Sequence, residues 1–373
     1  MNSKEESPIL LLDTFRTDLF KKVILEKYNY KEVAKPSIKN ALHIFYKPSL
    51  IFLFIKSIFL LKGIRSAIVY TYFYSAINNN KPKVVVGFYI AMKRKYFYYL
   101  ANKFKNIEFI AVAPSRIDSL AKFNNIVPSR AKFFVHGDGD KSELISRGYN
   151  KELIYSYGSF YSHIHSTKIE DKSLKYDICI LSQYLHQWED ENLSEERKTQ
   201  IKIFNLLMDY ISRFYLKNPQ LKIAVAMRPQ EKGEYGSHLE KKYFLEKIGN
   251  INPTFINSDE RNGSSYQASF NSEVIVTHYS TLGFELIGFK KKVLFFQPYQ
   301  FELAPIPSRL KWKIMNPNYN DFENQITSLL NLNIENYEKT IVDDVLYFNN
   351  MEHDLIKKVC NIIDKRIDDE KKS

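Results

Sequence analysis

The segment Glu273-Val-Ile-Val-Thr-His-Tyr-Ser-Thr-Leu-Gly-Phe-Glu285, followed by Lys290-Lys-Lys-Val-Leu-Phe-Phe-Gln-Pro298, decides the fold of this chain. It predicts a buried strand, a tight turn, a short helix opened by Ser280 and Thr281, and a second buried strand. A helix that starts beyond the C-terminal end of a parallel strand gathers unpaired N–H groups and the positive end of the helix dipole at one point. Such a point takes an anion, most often phosphate. Glu285 follows about one turn later, where a carboxylate accepts from ribose hydroxyls. A plainer alternative stands beside this one: Ser280 only caps the helix.

Outward from this segment, strands and helices alternate. Residues 9–12, 83–87, 107–112, 132–136 and 153–157 read as short apolar strands, with a helix over 93–105 that puts Tyr96, Leu100 and Phe104 on one face. A second series begins with a strand at 176–183. Ser194, followed by Glu195 and Glu196, starts a helix that runs to about residue 216 and buries Phe204, Leu207, Ile211 and Phe214. A strand at 221–227, a helix at 237–248, a strand at 254–256 and a helix at 266–270 lead back to the opening segment. Such alternation argues for parallel sheets covered by helices. The predicted organisation is a Rossmann-like acceptor domain (1–159), a linker (160–175), a nucleotide-sugar-binding domain (176–336), and a C-terminal helix packing back on the first domain (337–373). Two such domains facing a central cleft describe the α/β GT-B architecture, with ligands at the carboxyl ends of the strands.

The 373 residues are 45% hydrophobic, enough for two full cores. The formal charge of +12 suits nucleic acid, anionic lipid or anionic small substrates. The basic residues read as scattered and no nucleic-acid-binding signature is present, so the expected partners are a membrane surface, touched peripherally, and an anionic donor. Cys179 and Cys360 lie far apart without metal-ligand spacing, which points to a reducing compartment. With no signal peptide legible at the N-terminus, the expected location is the cytoplasm, at the inner face of its membrane. Residues 50–61 are apolar but too short to span a bilayer. They read as a buried helix, with an interfacial helix as the lesser alternative.

Four segments resemble bacterial surface-carbohydrate biosynthesis proteins related to the retaining Kdo transferases. They are Lys81-Pro-Lys-Val-Val-Val-Gly-Phe with Tyr99-Leu-Ala and Ile107-Glu-Phe-Ile-Ala-Val; Phe133-Phe-Val-His-Gly-Asp-Gly-Asp140 continuing to Tyr157-Gly-Ser159; Tyr176-Asp-Ile-Cys-Ile-Leu-Ser-Gln183; and Ser265-Tyr266 through Glu285 to Phe296. The resemblance implies a GT-B fold and a CMP-activated ulosonic acid donor such as CMP-Kdo, transferred to a glycan or glycolipid acceptor of lipopolysaccharide or capsule. There are two departures: where relatives carry a His-Pro-type motif after the 221–227 strand, this chain has Arg228-Pro229-Gln230, and residues 86–94 and 112–116 lack the polar Asp-Asn and Gln-Asn-Gly patterns of relatives.

The expected donor site comprises Ser182, Gln183, Arg228, Gln230, His278, Tyr279, Ser280, Thr281 and Glu285. Ser280, Thr281 and the adjoining N–H groups stabilise the leaving phosphate, and Arg228 clamps phosphate or the donor carboxylate. A CMP-sugar has one phosphate and requires no divalent metal, and no cofactor is expected. The carboxylate needed near the anomeric carbon comes from Asp138 and Asp140 or from Glu189 and Asp190. His136 and His278 end strands and can move a proton near neutrality. His163 and His165 lack a third metal ligand, and Lys290 to Lys292 read as a solvated turn. Two alternatives remain open: a CDP-polyol phosphotransferase, and a catalytically degenerate GT-B module that binds and scaffolds.

Overall fold

The computed structural model describes residues 7–12, 17–36, 46–88, 95–114, 127–169, 171–185, 188, 192–228, 233–259, 262–301 and 306–368, with backbone alone at 233–235. The chain divides into two compact units, Met1–Phe160 with Glu352–Ser373, and Tyr161–Met351.

The first unit is built on β1 (Ile9–Leu12), β2 (Tyr30–Val33), β3 (Val84–Gly87), β4 (Glu108–Val112), β5 (Lys132–Val135) and β6 (Ile154–Ser156). They form one sheet in the order β2-β1-β3-β4-β5-β6, parallel throughout. Every residue of β1 and β3 is buried, as expected of parallel strands covered on both faces. The second unit carries β7 (Tyr176–Leu181), β8 (Ile223–Ala226), β9 (Thr254–Ile256), β10 (Ser272–Thr277), β11 (Lys292–Phe296) and β12 (Lys313–Ile314). Their order is β12-β11-β10-β7-β8-β9, again all parallel.

In the second sheet the chain leaves β7 toward β8 on one side and β10 toward β11 on the other. The strand order therefore reverses between β7 and β10, where sheets of this kind open a crevice beyond their carboxyl ends. Ile180 pairs with Val276. Ser182 and His278 each follow two residues beyond that pair, just past the carboxyl ends of β7 and β10.

Local sequence accounts for the flanking helices. Ser194 Oγ accepts the Arg197 N–H at 3.4 Å and opens the helix Glu195–Lys217, which buries Phe204, Leu207, Ile211 and Phe214 as its periodicity predicts.

Several expectations are corrected. Stretch 160–175 opens with the helix Phe160–Ser166, in which Ser162 and His165 are buried. Its polarity misleads because Ser162 finds a partner inside: the Asn349 side-chain amide donates to Ser162 Oγ at 3.2 Å. Stretch 337–373 is divided between the units. The helix Ile334–Phe348 packs on the helix Thr281–Gly288, with the Phe284 and Phe348 rings 5.2 Å apart. The helix Leu355–Asp368 belongs to the first unit, where the Tyr28 hydroxyl donates to Asp364 at 2.7 Å. The helix Pro48–Leu61 is not a buried one, since it buries only Leu50 and Ser57. Sequence periodicity also missed β2, whose middle residues Lys31 and Glu32 are exposed, and the two-residue β12. No helix among the described residues is long and apolar enough to cross a membrane.

Candidate functional site

The helix Thr281–Gly288 begins at the carboxyl end of β10, beside the loop that follows β7. Ser280 occupies its N-cap position, yet the Ser280 side chain makes no capping hydrogen bond. The turn is set instead by Thr277, whose Oγ1 accepts the Ser280 N–H at 3.2 Å. No acidic residue lies in the first turn, and Ser280, Thr281 and Leu282 are part-exposed. The N–H groups of Thr281 and Leu282 have no carbonyl one turn back, so they and two hydroxyls stand at the positive end of the dipole. Gly283 brings the helix close to the sheet. A Cβ there would lie 2.7 Å from Thr277 Cγ2 and 3.2 Å from the Phe295 ring.

The loop after β7 is tightly shaped. The Ser182 N–H donates to the Ala226 carbonyl at 3.0 Å and its Oγ accepts the Tyr184 N–H at 3.2 Å. The Gln183 side-chain amide turns back to the Ser182 carbonyl at 3.0 Å. Arg228 follows β8, the next strand over, half-buried, with its N–H held by Glu240 Oε1 at 2.9 Å. Tyr279 is fixed from outside the motif: its hydroxyl accepts from the Gln200 amide, and Gln200 Oε1 accepts from Arg197 at 2.7 Å. Gln200 was legible as a signal, because it lies on the stripe that carries Phe204 and Leu207 and is wholly buried.

Glu285 does not sit on a solvated cleft. It is 3% exposed and its carboxylate accepts from the Tyr266 hydroxyl. Burial, together with this carboxylate, holds the Tyr266 phenol well above its ordinary range. The Asn349 amide donates to the Glu285 carbonyl at 2.9 Å and to Ser162. Glu285 thus meets Tyr266 through its carboxylate and Asn349 through its backbone carbonyl, and the carboxylate expected to accept from a ribose is turned into the interior.

His278 is also corrected. It is fully buried, its Nδ1 lies 3.0 Å from the Phe296 carbonyl, and the rings of Tyr279 and Phe301 enclose it. Desolvation pulls its pKa down to about 3, so near neutrality it is an uncharged ring. His136, expected as its counterpart, is wholly buried at the end of β5. His165 is buried against Tyr161 and Tyr266, and burial lowers its pKa to about 4.

Among the expected catalytic carboxylates, Asp138 and Asp140 lie in the first turn of the helix Asp138–Ser146, in the first unit. Asp138 Oδ1 accepts from Ser156 Oγ at 2.5 Å, and Asp140 is buried. Glu189, Asp190 and Gln230 lie outside the described residues. The lysine run is not a solvated turn as a whole. Lys290 is exposed and meets Glu338 at 2.8 Å, whereas Lys292 is buried on β11 and paired with Glu273. Among the described residues no group of His, Cys, Asp and Glu is arranged to hold a metal ion.

Comparison with known proteins bears on the fold. A family described as "putative O-antigen biosynthesis protein" matches residues 133–303, a little under half of the chain. No curated protein matches it in sequence. The UDP-GlcNAc 2-epimerase of Neisseria meningitidis, solved bound to UDP-GlcNAc, is similar at TM-score 0.53 and 14% identity, over 96% of this chain and 99% of its own. The MnaA–UDP structure from S. aureus gives 0.54 at 15% identity over 97% of each chain. The wall teichoic acid polymerase TagF gives 0.50 at 12% identity, over 98% of this chain and 90% of its own. At these identities the likeness is one of fold, and the fold is GT-B: two Rossmann-like domains, each on a six-stranded parallel sheet.

Proposed function

We propose that this chain is a glycosyltransferase of bacterial surface-polysaccharide assembly that takes a CMP-activated ulosonic acid, CMP-Kdo or a close relative, as donor. The observation that carries the reading is the start of the helix Thr281–Gly288 at the reversal of strand order, with an uncapped Ser280 and no acidic neighbour. The match of residues 133–303 to an O-antigen biosynthesis family supports the pathway class. In this reading the first-turn N–H groups and the Ser280 and Thr281 hydroxyls take the donor phosphate. They gain strength as charge collects on it while the sugar departs. Arg228, one strand away, adds a fixed cation for phosphate or for the sugar carboxylate. Ser182, Gln183 and Tyr279 shape the walls. Transfer is retaining and needs no divalent metal. The carboxylate at the anomeric carbon is one of Glu189, Asp190, Asp138 and Asp140.

Thermal-shift measurements with CMP, CDP, UDP and GDP test the donor. A ligand at about a hundred times its Kd stabilises by ~2.7 kcal/mol, which is readily seen. Stabilisation by CMP alone is expected. A response to UDP alone replaces the donor class, and no response to any of the four removes the nucleotide site. A response to CDP with none to CMP favours a CDP-polyol phosphotransferase, a second reading that draws on the similarity to TagF.

A further inference from the structure

The helix Pro48–Leu61 forms a hairpin with the helix Ile64–Asn80 on the first unit. Its inner face is conventional: Leu50 is buried, and Leu53 and Leu61 pack against the core. Its outer face is not. Phe52 and Phe59 are 72% and 79% exposed, and Ile55 lies between them on the same stripe. Leu60, Ile64 and Tyr46 extend the exposed apolar surface at either end. Lys56 stands in the middle of this face, with Lys47 before the helix and Lys62 and Arg65 after it, all four exposed.

The charge here is one-sided over a long stretch. Between Glu32 and Glu108 the chain carries thirteen Lys or Arg and not one Asp or Glu. The chain has 54 basic and 42 acidic residues in all, so the remainder is balanced to within one charge. The basic residues are therefore not scattered with respect to net charge: the whole excess belongs to the segment that contains this face.

We infer that the outer face of the helix Pro48–Leu61 docks on an anionic lipid bilayer. The Phe and Ile side chains enter the boundary between headgroups and acyl chains, and the surrounding Lys and Arg meet lipid phosphates. Charge complementarity selects this occupant. A second copy of the chain would bring the same positive face against itself, and a protein groove would leave Lys56 buried at its centre without a carboxylate from this side. The inference does not depend on the nature of the sugar donor.

Co-sedimentation of the full chain with vesicles tests it. Binding is expected to vesicles holding about 30% phosphatidylglycerol in phosphatidylcholine, to be far weaker on phosphatidylcholine alone, and to fall as salt is raised. Phe52→Gln with Phe59→Gln should weaken binding on the order of tenfold or more, because these side chains supply the buried apolar area. Lys56→Glu with Lys62→Glu should abolish the preference for anionic lipid. Both pairs are exposed, so circular dichroism and melting temperature should match the parent and show that loss of binding is not loss of fold. Absence of binding to anionic vesicles at low salt, or binding unchanged in both double variants, overturns the proposal. So does a dimer in sedimentation velocity that the Phe52→Gln, Phe59→Gln pair dissolves.

Discussion

The Tyr266 hydroxyl donates to the Glu285 carboxylate in the interior of the second unit, across nineteen positions and between two helices. The contact gives Glu285 a structural part in the helix Thr281–Gly288. Glu285→Ala should cost about 2–4 kcal/mol in urea denaturation, since it leaves a buried phenol without its acceptor. Adding Tyr266→Phe should restore part of that loss, because the orphaned hydroxyl is then gone. An unchanged stability together with lost nucleotide affinity would return Glu285 to the ribose.

Ser280→Ala separates capping from ligand binding. The hydroxyl makes no capping bond, so stability should change by less than about 0.5 kcal/mol instead of the ~1 kcal/mol usual for a lost cap. Nucleotide affinity, measured by calorimetry, should drop on the order of tenfold. The reverse pattern would make Ser280 a cap and nothing more.

Gly283→Ala puts a methyl group against Thr277 Cγ2, closer than two carbons approach. It should destabilise by about 1–3 kcal/mol, as overpacking does, and shift the helix start proposed to take the donor phosphate. Thr277→Ser removes that methyl and keeps the hydroxyl that accepts the Ser280 N–H. The double variant should therefore be more stable than the single changes predict, by about 1 kcal/mol. Simple additivity would show that the contact is not the cause.

His278 is neutral in the fold, with its pKa near 3 against an ordinary 6.5, and His165 is lowered to about 4 for the same reason of burial. Below pH 6.5 the unfolded chain takes up protons that the folded chain refuses. Their contribution to stability is thus complete above pH 6.5 and is lost as pH falls toward 4 and then 3. Urea midpoints should fall across that window in the parent, and more gently in His278→Asn. An identical slope in both would place the titration elsewhere.

The catalytic carboxylate is tested by Asp138→Asn, Asp140→Asn, Glu189→Gln and Asp190→Asn. At least one should lower sugar transfer on the order of a hundredfold, about 3 kcal/mol in barrier, with donor binding kept. Asp138→Asn keeps the size that its bond with Ser156 requires, so its fold should survive. Four variants at parental rate would make all four carboxylates bystanders.

Local sequence determined the elements. Apolar runs such as Val84–Gly87 and Ser272–Thr277 are strands because parallel strands covered on both faces need continuous hydrophobicity. Ser194 fixed the start of the long helix through its own hydroxyl. Ser280 and Thr281 marked a helix start after a strand because turn chemistry is written within a few residues. Tertiary structure alone decided which of those residues face solvent. Pairing of β7 with β10 set Ile180 beside Val276, and nothing in either segment names the other. Burial then made His278 neutral and gave Glu285 to Tyr266, while the surface kept Phe52 and Phe59. A side chain's type is local, but its solvation is the sum of neighbours brought from distant parts of the chain. Charge state and availability follow solvation.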